Sequence, residues 1–354
     1  MSRACRSLVV ACAAFVSTAS IAAAQWITLQ TPGIPRTASG TPDLTAPAPR
    51  QSDKPDLSGL WRVSAIGYAG NVTTDLRPED IDPSAAALYR QRQEDLLAGD
   101  PSTARCLPSG PRQFYNPYPN DLVRIVQTPS LIVMLYEDLT YRQIFLDGRA
   151  LPKDPNPSFL GYSVGHWEGE TLVVESVGFN DTTWLDYGGH PHSERLRLTE
   201  RITRTDFGHL AIDVSFDDPA YYARSWTIPS RAEFAADTGM IEYVCNENPK
   251  DVAHLVGKAS DVRKLAVALA PQVLAKYVGT YAFSPSNAMK THVMLSNGTL
   301  FLDVGGKDRQ ELVPLSESTF GMLSGVRVEF TSDRVIFHLL EGDTHAMKER
   351  SPNH

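Results

Sequence analysis

The chain has 354 residues, 42% of them hydrophobic and 21% charged, a globular composition that excludes a disordered or coiled-coil protein. The formal charge is −8 with no acidic residue before Asp43, and nowhere are Lys and Arg concentrated as a broad nucleic-acid-binding face needs. The 25 prolines and 24 glycines point to many turns and few long helices.

Residues 1–24 read as a secretory signal peptide. MSRACR is a basic n-region, SLVVACAAFVSTASIA an apolar h-region, and Ala22, Ala23 and Ala24 a small-residue cleavage site. Its removal takes away Arg3 and Arg6 and no acid, so the mature charge deepens from −8 to −10. The expected location is the periplasm or the exterior, with no transmembrane segment in the mature chain. Two of the four cysteines leave with the leader; Cys106 and Cys245 remain as a pair expected to oxidise.

Residues 25–55 are rich in Pro, Thr, Ser and Ala and are expected to form a flexible arm or extended strap. Periodic structure starts at DLSGLWRV, the first expected strand of a larger β unit over 56–250. Asp82 to Leu97 is its best helix candidate, with Asp82 as cap and Pro83 at the first position. From Leu122 the period changes to two. Runs at Leu122–Thr128, Leu131–Glu137, Tyr141–Leu146, Tyr162–Trp167, Thr171–Val177, Arg195–Arg204, His209–Phe216, Arg224–Ile228 and Ile241–Cys245 suggest a meander of nine or ten strands. Residues 251–276 are expected to be a helical linker. Eight short β-rich segments over 277–350 suit a small barrel, with Asn297-Gly298 its strongest hairpin turn. The fold class is therefore mainly β, two antiparallel barrels joined by a short helical linker.

The C-terminal unit is carried by Leu274, Tyr277, Val278, Gly279, Tyr281, Gly298, Leu300, Leu312, Pro314, Ser316, Glu317, Phe320 and FTSDRVIFHL. These residues resemble the lipocalin-like domain found after serine-hydrolase domains of the beta-lactamase-related type. The resemblance implies a half-open barrel that assists another domain. No Ser-x-x-Lys precedes it, so the hydrolase half is not implied. The stretches PDLSGLW, GYSVGHWEGETLVVESVGFNDTTWLD and GGHPHSE resemble a group of exported bacterial proteins common in soil organisms. That resemblance implies export and carries no activity with it. The layout of the larger unit also looks lipocalin-like, which makes two calycin-like barrels the expected architecture.

The segment Gly178 to Glu194 is the densest in chemistry, holding Asn180, Asp181, Trp184, Asp186, Tyr187, His190, His192 and Glu194. Such a loop belongs at a barrel mouth. His190 or His192 could move a proton, with Asp186 or Asp181 orienting the imidazole and Tyr187 steadying negative charge; His166 is a further candidate base. Trp184, Asn180, Glu194, Trp167, Tyr136, Arg142 and Glu200 are candidate substrate-binding residues. Glu200 falls on the apolar parity of its strand beside Leu198 and Ile202, and a carboxylate facing a barrel interior needs a partner such as an arginine. No cofactor is expected. A divalent metal, if bound, would use His190, His192 and His166, yet neither His-Glu-x-x-His nor a cysteine ligand pattern is present. The one Gly-x-Ser-x-Gly match, Gly161 to Gly165, runs into the expected strand Tyr162–Trp167 with no helix after it, so it is not a nucleophile elbow, and the expected activity is a lyase, isomerase or non-serine hydrolase acting on a small, partly apolar molecule. The rival readings are a non-enzymatic carrier of an apolar ligand or haem, a His-ligated metalloenzyme, and a cell-envelope interaction module.

Overall fold

The computed structural model describes residues 30–349, apart from 66, 96–99, 101, 103–104, 118–121, 246–258, 285–286, 305–307, 323–325 and 340–341. The expected signal peptide lies outside the described residues. Two closed β-barrels, of nine and eight strands, are joined by a short helical segment.

The first barrel comprises β1 (Gly59–Ser64), β2 (Leu122–Gln127), β3 (Leu131–Tyr136), β4 (Tyr141–Phe145), β5 (Tyr162–Glu168), β6 (Thr171–Val177), β7 (Arg197–Arg204), β8 (His209–Asp217) and β9 (Trp226–Phe234). Each strand pairs with its neighbours in sequence, and β9 returns to β1. Eight junctions are antiparallel, while β4 and β5 pair in parallel through Ile144 with Ser163 and Phe145 with Val164. The proline-rich segment 146–161 carries the chain back for that parallel start. Alternation of inward apolar and outward polar residues fixes the register, most regularly in β9. That strand runs past the expected end at Ile228 to Phe234. Pro229 lies where β9 is beyond the end of β1, an edge that tolerates proline. Ile241–Cys245, expected as a strand, is not one.

One end of this barrel is closed by a buried cation. The Arg204 guanidinium lies over the Trp61 ring at 4.8 Å and donates to the carbonyls of Asp56, Asp206 and Phe207. Burial pulls its pKa down to about 10, so it remains charged at neutral pH. Residues 30–55 run across the barrel's outside in successive turns that end in a hairpin pairing Arg50 with Pro55. Phe207 and Gly208 donate backbone bonds to Ala46 and Leu44, and ion pairs join Arg36 to Asp237 and Arg50 to Glu170. At the opposite end, where Phe216 and Trp226 stack at 4.9 Å, the barrel receives α2 (Arg112–Tyr115), all four of whose residues are buried. Helix α1 (Pro83–Glu94) covers the same end, capped by Asp82, whose carboxylate accepts from the Ser84 amide.

After α3 (Ala259–Lys264) and α4 (Pro271–Ala275) the second barrel follows: β10 (Gly279–Ser284), β11 (Asn287–Ser296), β12 (Thr299–Val304), β13 (Asp308–Pro314), β14 (Thr319–Met322), β15 (Arg327–Phe330), β16 (Arg334–Leu339) and β17 (Gly342–Lys348). All its junctions are antiparallel, and β17 returns to β10 through Tyr281 with Lys348. The resemblance implied a half-open barrel; this one is closed. Asn297 and Gly298 both take positive φ, 50° and 79°, as a two-residue hairpin turn demands. The core is apolar, centred on Leu302, Leu312, Phe320 and Val328, with Leu274 of α4 packed into it.

Cys106 and Cys245 form a disulfide across 139 residues of sequence. A crosslink closing so long a loop restricts the unfolded chain by up to roughly 5 kcal/mol. Reduction, or the C106S/C245S variant, is expected to lower the urea midpoint of the first barrel. Tryptophan fluorescence isolates that transition, because no tryptophan follows Trp226.

Candidate functional site

The loop joining β6 to β7 covers the barrel end that receives α2. It folds back on itself through the Trp184–Pro191 bridge and a Leu185 N–H to His190 carbonyl bond. A Cβ on Gly188 would lie 2.1 Å from the Gly70 carbonyl, so glycine alone fits this approach. Asp186 is the hub. Its Oδ2 accepts from the Val72 amide at 2.8 Å and from His190 Nδ1 at 2.6 Å, and its Oδ1 accepts from the His190 amide at 3.0 Å. His190 Nε2 lies 3.0 Å from Thr73 Oγ1, which bonds Asn71 Oδ1. Tyr89 of α1 stacks on the His190 ring at 3.9 Å. From the same helix, Arg92 and Gln93 donate to the carbonyls of Gly189 and Gly188.

His192 is also enclosed. Its Nδ1 lies 3.2 Å from the Ser193 carbonyl and its Nε2 is 2.7 Å from Thr183 Oγ1, an arrangement that suits a neutral ring donating through Nδ1. Burial pushes its pKa down to about 4, only partly opposed by the Ser193 carbonyl. Tyr187 donates to the Pro117 carbonyl, and the Arg112 guanidinium lies 4.1 Å over its ring. Trp184 is buried, with Arg92 at 4.9 Å from its ring. Asn180 closes a local turn by accepting from Thr182. Asp181 and Glu194 are exposed, and His166 stands on the outer wall at 56% side-chain exposure, paired with Glu168. Trp167 is partly buried against the core.

These positions overturn the expectation of an acid–base enzyme. Asp186, His190 and Thr73 form a line of the kind that activates a hydroxyl, but both imidazole nitrogens are engaged and Tyr89 covers the ring. Thr73 is itself only 4% exposed. His190 is itself buried with Tyr89 over one ring face, and the loop's hydrogen bonds hold backbone together. The metal reading fares no better, since His166 is remote in environment from the two loop histidines. Among the described residues no group of three or more His, Cys, Asp or Glu side chains could hold a metal ion.

A second polar cluster lies at the centre of the first barrel. Arg142 of β4 and Glu200 of β7 form a bidentate pair with both side chains 1% exposed. Arg142 also donates to Ser163 Oγ at 3.1 Å and Ser176 Oγ at 2.9 Å, and these two hydroxyls lie 2.8 Å apart on directly paired residues of β5 and β6. Phe114 of α2 lies 3.5 Å from the guanidinium carbon, and Tyr136 is buried alongside. Reasoning from sequence missed Phe114, Ser163, Ser176, Thr73 and Tyr89. Only the serines carried a signal, as small polar residues on inward parity. Elsewhere, the second barrel's outer wall bears an open depression of about 490 Å³ lined by Thr319, Arg327, Glu329 and His338. Its charged walls do not suit an apolar molecule.

Comparison with protein-family models and with curated proteins finds no match to this chain. Fold and site define a mainly β protein of two closed barrels.

The enclosed His192 makes stability depend on pH. The unfolded chain takes up a proton near pH 6.5, whereas the folded protein resists until about pH 4. Stability is therefore full above pH 6.5 and falls as pH drops through that window, by roughly 3 kcal/mol from this group alone. Urea titrations of wild type and His192→Gln between pH 7 and pH 4 should show a shallower decline in the variant.

Proposed function

We propose that the protein is a non-enzymatic binding protein for a small, predominantly apolar molecule, which it holds in the first barrel. The observation that carries this reading is the barrel's inner wall. It is a closed ring of inward apolar and aromatic side chains, including Ile144, Val174, Leu198, Val214 and Ile228, with one internally neutralised polar cluster at its centre. Such a lining offers an apolar body dispersion contacts on every side and a few fixed polar groups for orientation. A haem-carrying version has less support, because His190 and His192 already use both ring nitrogens.

The setting we infer is outside the cytoplasm. The Cys106–Cys245 disulfide suits an oxidising compartment, in keeping with the expected leader. No helix among the described residues is long and apolar enough to cross a membrane.

Protein purified without detergent should release an apolar compound on solvent extraction, detectable by mass spectrometry. The delipidated protein should take up the fluorescent probe N-phenyl-1-naphthylamine. A Val174→Trp variant that fills the first barrel should bind the probe at least tenfold more weakly, while Leu302→Trp in the second barrel should not. Failure of extract and probe alike would remove this reading.

A further inference from the structure

We propose that the centre of the first barrel receives a neutral hydrogen-bond acceptor, a carbonyl or ester oxygen on an apolar molecule, and rejects the corresponding carboxylate. This deepens the binding role above and rests on it.

The argument begins with donors. A guanidinium has five N–H groups. In Arg142 four of them go to Glu200, Ser163 and Ser176, and the remaining Nη1 hydrogen points to Met134 Sδ at 3.9 Å, beside the Tyr136 hydroxyl. The Tyr136 hydroxyl reaches the same sulfur at 3.7 Å. Arg142 is 2% and Tyr136 3% exposed, so two strong donors converge on one thioether inside the barrel. A thioether is a weak acceptor, and buried donors without a good partner are costly. An oxygen atom placed between them would satisfy both. Methionine's unbranched, flexible chain can swing aside to admit it.

Charge then selects the kind of oxygen. Glu200 already neutralises Arg142 through a bidentate contact, so the cluster as a whole carries no net charge. A carboxylate delivered there would be a second buried anion sharing one cation. A ketone or ester oxygen accepts the same two hydrogen bonds without that penalty. Space for the ligand's body is the place now taken by the Phe114 ring against the Arg142 face. That ring belongs to the four-residue α2, whose anchors include Tyr115 to the Leu185 carbonyl, Ser230 to the Tyr115 carbonyl and Arg112 to Asp100 and Ser102.

The test is competition of methyl decanoate and of decanoate against N-phenyl-1-naphthylamine at pH 7.5, in the full chain and in Phe114→Ala. Methyl decanoate should bind at least tenfold more tightly than decanoate in both. Tyr136→Phe should weaken the ester selectively. Glu200→Gln frees the Arg142 charge and should invert the preference toward decanoate by tenfold or more. Because that change leaves a buried cation unpaired, the double variant Arg142→Met/Glu200→Met guards against a fold defect. It removes both charges together with the Arg142 donor and should weaken methyl decanoate at least tenfold while N-phenyl-1-naphthylamine binding is kept. An unchanged ester-to-acid ratio in Glu200→Gln with native near-ultraviolet circular dichroism would overturn the inference while leaving the binding role intact. So would methyl decanoate affinity that is unchanged in the double variant. Absence of probe binding to wild type and Phe114→Ala alike would overturn the binding role and this inference with it.

Discussion

A single ion pair sets the terms for the larger barrel. Arg142 and Glu200 sit where neither is tolerable alone, because each charge loses its water when the strands close around it. The ring must therefore bring β4 and β7 to opposite sides of one interior, and β5 and β6 between them supply the two serines that complete the guanidinium's shell. Register follows from this as much as from hydrophobicity. A slip of one residue in β7 would turn Glu200 to solvent and leave the arginine stranded in an apolar core. Phe114 completes the arrangement from outside the sheet, which ties the position of α2 to the same charge.

The barrel ends are solved differently. At one, Arg204 is stabilised by carbonyl oxygens and two aromatic faces, with the charges of Asp56 and Asp206 nearby. At the other, Asp186 is satisfied by backbone amides and an imidazole, and α1 is laid over the result. The second barrel needs neither device. Its core is aliphatic and aromatic, so hydrophobic burial and hairpin turns suffice to define it.

Much of this was legible in the sequence. Period-two alternation located the strands of both barrels, and the parity of β7 singled out Glu200 as an inward carboxylate in need of an arginine. What parity could not supply was the partner. Arg142 lies 58 residues away, and arginines on neighbouring strands are usually outward. The loop from Gly178 to Glu194 was legible as unusual but misleading about why. Histidines, aspartates and aromatics serve catalysis and the closing of a barrel end with the same functional groups. Only the third dimension shows that Tyr89 and Thr73, about a hundred residues earlier in the chain, occupy one ring face and the Nε2 atom of His190. The extension of β9 past Pro229 was hidden for a related reason, since a proline is harmless only where the adjacent strand has already ended.

The one parallel junction follows from counting. Walking once around a closed ring must return to the starting strand with its direction unchanged, so the number of direction reversals has to be even. Eight strands satisfy this with every junction reversed, as the C-terminal barrel does. Nine cannot, and exactly such a ring requires at least one neighbour pair that runs the same way. The pairing of β4 with β5 is that obligatory seam. Only two residue pairs bind it, and a long connector bridges it instead of a tight turn. If the ring ever parts, topology and bond count agree on where.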